Sequence, residues 1–312
     1  MTSLYQIRTF GQLLNDTIAF FNSDGKNFFK VFFTVLGIPL VLVGVSIYFL
    51  MTVFFEGIFG VARLGGTFSP FSSFYENIAL FVGLGLVLII GTVFLSVFHF
   101  CYPIIYFHFK EQGKEKPEVN DIMQFMKQSW KRILVFFILL FLMIIPLALV
   151  YVGVMMASIF SIFLFPVMLL LYPAFFCWFM LSLHHYLMQK SSLTDAFQTA
   201  WNYLKNGFWK NVFSTIISYV LVQVMVTVVT MIPYIFLFIS IFAGMNEVGV
   251  QDDRFSSIGI IFTIVLLVAI ISSYVFGNFM VVNQSYIYFS EKEAAENTST
   301  KSDIDLIGTH EA

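Results

Sequence analysis

The chain has 312 residues, of which 59% are hydrophobic and 11% charged, with a formal net charge of −2. Soluble domains carry about 25% charged residues, so this composition leaves too little polar surface to coat a water-soluble fold. The near-neutral balance gives no electrostatic footprint for a nucleic-acid partner.

Lipid-exposed backbone must satisfy its hydrogen bonds internally, as a helix or a closed barrel. Barrel strands alternate apolar and polar residues, whereas the apolar runs here are continuous. Val31 to Phe55, Asn77 to Phe109, Ile133 to Gln189, Asn211 to Asn246 and Phe255 to Ser290 contain no Asp, Glu, Lys or Arg. A span needs about 20 such residues, and the run from Ile133 is long enough for two, with a break expected near Ala157 to Ser161. The expected fold is all-α: a polytopic transmembrane bundle of six spans arranged as three hairpins, each preceded by a cytoplasmic interfacial amphipathic helix.

The first of these interfacial segments carries Ile7, Phe10, Leu14, Ile18 and Phe21 at helical spacing, with Arg8, Gln12, Asn15 and Asp16 opposite. The second carries Val119, Ile122, Met123, Met126, Trp130 and Ile133. The third carries Leu193, Ala196, Phe197, Ala200, Trp201, Leu204 and Phe208, opened by a capping signal at Ser192 and Asp195. Each ends in aromatic and basic residues that prefer the headgroup level. These anchors are Lys26, Phe29 and Lys30, then Trp130, Lys131 and Arg132, then Lys205, Phe208, Trp209 and Lys210. They are expected where the chain turns from the surface into the membrane.

No cleavable leader is read in the first 25 residues, so the first span is expected to act as the insertion signal. Of the 16 Lys and Arg, all but Arg63 and Arg254 fall on one side of the six-span plan. That asymmetry predicts a multi-pass protein of the cytoplasmic (inner) membrane with both termini in the cytoplasm. Asp16 and Lys26, Asp121 and Lys131, and Asp195 and Lys205 share one spacing. The spacing suggests three repeats, at about 5–109, 117–189 and 192–290, forming a membrane domain over 1–290. A polar tail follows over 291–312, read as disordered, with Ile304 to Ile307 as a short docking candidate.

Asp195-Ala196-Phe197, Ala200-Trp201, Leu204-Lys205-Asn206 and Phe208-Trp209-Lys210, leading into a span, resemble the glycerophosphoryl diester phosphodiesterase membrane-domain family. The likeness is to its free-standing bacterial relatives, which lack the catalytic domain. The resemblance implies a six-span membrane module rather than a phosphodiesterase.

No Asp, Glu, Lys or Arg lies inside the apolar runs. Proton relays and ion-coupled carriers usually need such groups. The remaining polar candidates are His99 and Tyr106 in the second run, with Thr92 and Ser96 on the same stripe, and Tyr274, Asn278 and Ser285 in the last, with Asn283 and Gln284 nearby. They read either as seams of helix–helix hydrogen bonds or as the wall of a ligand groove. His184 and His185, with Cys177 two turns earlier, lack the partners that a metal or nucleophile site needs. Prolines within five spans read as bends or as broken-helix sites, and the 41 Phe as packing or as an acyl-chain lining.

No catalytic residue, metal site or cofactor is expected. The leading reading is a non-enzymatic scaffold or accessory module for a membrane-protein partner or membrane lipids. The alternative is a carrier or flippase-like protein for a lipid or amphiphile, with a cavity lined by His99, Tyr106 or Asn278.

Overall fold

The structure is a computed structural model describing residues 4–63, 78–160, 165–244 and 252–297. Among these it contains eight helices and no strand. They are α1 (Phe10–Ser23), α2 (Gly25–Arg63), α3 (Ile78–Glu111), α4 (Val119–Phe160), α5 (Phe165–Met188), α6 (Leu193–Asn206), α7 (Phe208–Gly244) and α8 (Asp252–Glu296). Five of them, α2, α3, α4, α7 and α8, are long and apolar enough to cross a membrane, so the chain is a multi-pass membrane protein. Pro39, Pro103, Pro146, Pro173 and Pro233 all lie inside helices that continue through them.

The chain divides into two compact units. The second comprises 33–98 and 221–277. Its helices approach through small residues, as lipid-embedded helices do when packing replaces the hydrophobic effect. A Cβ on Gly91 would stand 2.6 Å from Val43 Cγ2, and one on Gly44 would stand 3.6 Å from Leu267. Outward residues such as Leu42, Ile89, Ile90 and Ile232 are apolar and exposed, which suits a hydrocarbon solvent.

The first unit comprises residues up to 32, 99–220 and 278 onward. Its centre is aromatic. Phe20 stacks on Phe107 at 5.0 Å, Phe28 meets Tyr102 at 4.7 Å, and Phe107 meets Tyr286 at 5.3 Å. A second cluster joins Phe136 to Tyr186 and Phe197, with Trp178 on Phe197. Many of the phenylalanines of this unit are therefore core packing.

Four expectations are corrected. Arg8 and Asp16 do not face water: both are buried, while Ile7, Phe10 and Ile18 are exposed. Polar groups point inward here because the interior supplies hydrogen-bond partners that a lipid-facing surface lacks. In the second segment α4 runs unbroken past Trp130, Lys131 and Arg132, because no glycine or proline interrupts it there. The chain does turn at Asp24 and at Gly207, so the shared Asp–Lys spacing does not place equivalent residues: Lys26 follows its turn, Lys205 precedes its turn, and Lys131 has none. Finally, α8 extends to Glu296, and Glu291, Lys292 and Glu293 are buried, so the polar tail does not begin at 291. The rest of that tail, with Ile304 to Ile307, lies outside the described residues, as do the side chains of Arg63 and Arg254; of the break expected near Ala157 to Ser161, α4 continues through Phe160, and residues 161–164 lie outside the described residues.

Candidate functional site

The polar groups of the first unit converge on the last turns of α8, from Asn278 to Glu293. Asn283 is fully buried and its amide is divided among three partners. Its Nδ2 donates to Leu13 O at 3.3 Å and to Thr17 Oγ1 at 3.2 Å, and its Oδ1 accepts from Ser214 at 3.0 Å. Gln284 donates to Thr215 Oγ1 at 2.8 Å. Ser285 and His184 Nε2 lie 2.9 Å apart.

One turn further, Ser290 Oγ accepts from the Arg8 backbone N–H at 2.9 Å. The Arg8 side chain pairs through Nε with Asp16 Oδ2 at 2.8 Å. Its NH1 donates to the carbonyls of Leu4 and Gln6, and its guanidinium lies 4.9 Å from the Tyr286 ring centre. The short segment before α1 is thus tied down at several points. Tyr5 donates to Glu111 and accepts from Lys292 at 3.1 Å. Burial, then the neighbouring Glu111, raises the Tyr5 phenol above its ordinary pKa. Tyr203 donates to Glu296 at 3.2 Å. Burial and then the Glu296 charge raise its phenol as well. Glu291 pairs with Lys210 at 2.6 Å.

The residues expected from sequence are distributed as follows. Ser285 belongs to this network and Asn278 is buried beside it in the same helix. Tyr106 accepts from Asn27 at 3.1 Å. His99 is buried against Phe100. Tyr274 lies in the other unit, 3.4 Å from Ser96. Of the basic anchors, Lys26, Lys30, Lys131 and Lys205 are exposed, as are Trp130 and Trp209, while Phe29 and Phe208 are half-buried. Arg132 and Lys210 are committed to protein contacts. Arg8, Asp16, Tyr5 and Glu111 were not among the candidates.

No family model, curated protein or solved structure matches this chain.

The chemistry must therefore be read from geometry. Ser285 and His184 have the spacing of a nucleophile and its base, but both are fully buried and the other ring nitrogen of His184 faces the Met188 sulfur at 3.4 Å. A catalytic histidine is normally oriented by an acid or amide at that position. Among the described residues no group of three or more His, Cys, Asp or Glu is arranged to hold a metal ion. Cys177 is a buried free thiol, and His185 stands 3.6 Å from Asp195.

Of the cavities described in this unit, two are larger than the one beside Asn27 and Pro117. One, of about 520 Å³, is almost wholly apolar, and its wall includes Met143 and Leu147 of α4, Leu170 and Ala174 of α5, and Trp201 and Leu204 of α6. The other, of about 380 Å³, is polar and lies among the end of α3, the start of α4 and the end of α5. Neither is lined by His99, Tyr106 or Asn278.

Proposed function

We propose that this chain is a non-enzymatic module of a bacterial inner membrane that holds a membrane lipid and serves as an accessory to a membrane partner. The observation that carries this reading is the apolar groove of about 520 Å³, within the range of about 300–1,000 Å³ usual for ligand sites. The groove offers almost no polar atom to a ligand, so its natural occupant is an acyl chain, with each buried methylene contributing about 0.8 kcal/mol. The buried His184–Ser285 pair, with a thioether where an orienting acid would stand, favours a structural role over chemistry. The test is native mass spectrometry of chain extracted in mild detergent. Ala174→Trp fills the groove and should lower retained lipid several-fold. Equal retention by wild type and variant would refute the reading.

The same groove supports a second reading, a carrier or flippase-like protein for an amphiphile. Reconstituted vesicles separate the two: lipid exchange between leaflets faster than in empty vesicles favours the carrier.

The topology belonging to this proposal has six spans as three hairpins, with α5 as the sixth span and both termini cytoplasmic. Its support is the charge asymmetry, which sets Arg63 and Arg254 apart from the other 14 of the 16 basic residues. In a chain lacking Cys101 and Cys177, single cysteines in place of Lys205 and Arg63 should be labelled by an impermeant thiol reagent from opposite faces. Labelling from the same face would exclude this plan. Membership of the glycerophosphoryl diester phosphodiesterase membrane-domain family remains part of the proposal, resting on the Asp195 to Lys210 motif.

A further inference from the structure

The polar cavity makes a case separate from the lipid groove. Gln124, Gln128 and Arg132 of α4 stand four residues apart and line one wall, with His108 of α3, Gln112 just after α3 and Lys190 after α5 also on the lining. Arg132 is held by one edge. Its NH2 donates to Tyr186 O at 2.8 Å and to Ser191 O at 2.7 Å, and its guanidinium lies 4.1 Å from the Tyr186 ring centre. Its Nε is buried and has no hydrogen-bond partner. A guanidinium carries five N–H donors in a fixed fork, so a restrained fork with an unused buried donor favours an acceptor.

Lys190 carries an independent signal. Its φ is +52°, the left-handed region where glycine or asparagine usually closes a helix. A lysine stands there, two residues after α5 ends at Met188, and it lines the cavity. The one carboxylate on that wall, Asp121, is already engaged by Lys114 at 2.6 Å and by the Glu118 N–H at 2.6 Å. Two cations, one of them pre-oriented, therefore face the cavity with side-chain amides beside them and no uncommitted anion. Arginine forks and lysine point charges in this combination recognise phosphate oxygens.

We propose that this cavity binds a phosphate-class anion, whether the headgroup of a membrane lipid or a soluble phosphate ester. The experiment uses the full chain in neutral detergent, titrated with inorganic phosphate against chloride at equal ionic strength, and reads the unfolding midpoint and the phosphate Kd. Lys190→Gly removes the charge and gives the backbone its preferred residue, so the fold is kept. Its midpoint without phosphate should equal or exceed that of wild type, while its Kd weakens at least tenfold. Arg132→Gln should also lose binding, together with some stability, because two carbonyls lose their donor. Displacement of phosphate by short-chain phosphatidylglycerol, but not by glycerol phosphate, identifies a headgroup site; the reverse order identifies a soluble ester. No phosphate-specific shift in wild type, or an unchanged Kd in Lys190→Gly, overturns the proposal. Either result leaves the Ala174→Trp test of the groove unaffected.

Discussion

Substituting Arg8 should show how strongly the buried charge pair fixes the start of the chain. The Arg8 side chain has no exposed surface and that of Asp16 only 11%, with 2.8 Å between Nε and Oδ2. Arg8→Met leaves a buried carboxylate without its partner, and breaking a buried pair this way costs about 3–5 kcal/mol. Asp16→Leu takes the carboxylate away from the buried guanidinium and should cost a comparable amount. The double variant removes both charges, and replacing a whole buried pair by apolar groups is often neutral or better. It still forfeits the Arg8 bonds to the carbonyls of Leu4 and Gln6, at about 1 kcal/mol each. The double variant should therefore lie only about 2 kcal/mol below wild type, whereas additivity of the singles demands about 6–10 kcal/mol. Equilibrium unfolding in mixed micelles, followed by tryptophan fluorescence, measures all four corners of the cycle. A single variant within about 1 kcal/mol of wild type, or a double variant equal to the sum of the singles, would refute the argument that pairing, rather than packing alone, holds this segment.

Gly207→Ala should destabilise the chain by about 1–3 kcal/mol through overpacking, because the added Cβ would stand 2.5 Å from Glu291 Oε1 and 2.7 Å from Asn211 Nδ2. The φ of Gly207 is −113°, acceptable to alanine, so Glu291→Ala in the same chain should recover part of the loss in the same unfolding assay. Alkaline pH should weaken the fold through Tyr5 and Tyr203, whose phenols are raised by burial and then by Glu111 and Glu296 respectively. An unfolded tyrosine releases its proton near pH 10 while the folded one retains it, so stability from these groups is intact below about pH 9 and falls as pH rises further. Paired Tyr5→Phe and Tyr203→Phe substitution should flatten that decline in a pH-dependent unfolding series.

The long helices were legible because an uninterrupted apolar run has few solutions other than a lipid-facing helix. The Ser192 signal was legible too: its hydroxyl accepts from the Asp195 N–H at 3.2 Å. The inward polar groups were not, and the reason is physical. Helical-wheel reasoning assigns polar faces to water, but a helix lying between lipid and protein turns its apolar residues outward. Ile7, Phe10 and Ile18 are exposed, while Arg8, Asp16 and Thr17 are buried. The turns had a signal that went unused. Asp24-Gly25 and Asn206-Gly207 are helix-ending pairs, whereas Trp130-Lys131-Arg132 contains nothing that stops a helix. Aromatic and basic residues mark a depth in the membrane; they do not mark a turn.

The position of the polar network bears on where function resides. Lipid-facing apolar helices pack mainly through shape and have little to fix their register. In the first unit that register is set by hydrogen bonds from residues spaced along the end of α8 to several elements. Asn283 reaches α1 and α7, Ser285 reaches α5, Ser290 reaches the segment before α1, and Lys292 reaches Tyr5. Each bond excludes slippage of one neighbour, because a displaced helix would leave a buried amide or hydroxyl unpaired at about 1–3 kcal/mol. These bonds tie the end of α8 to α1, α5, α7 and the segment before α1. The surfaces proposed for recognition are the apolar groove among α4, α5 and α6 and the polar cavity among the ends of α3 and α5 and the start of α4. Substitutions in the α8 network should therefore alter folding before binding, and substitutions in those two cavities should alter binding while the fold persists.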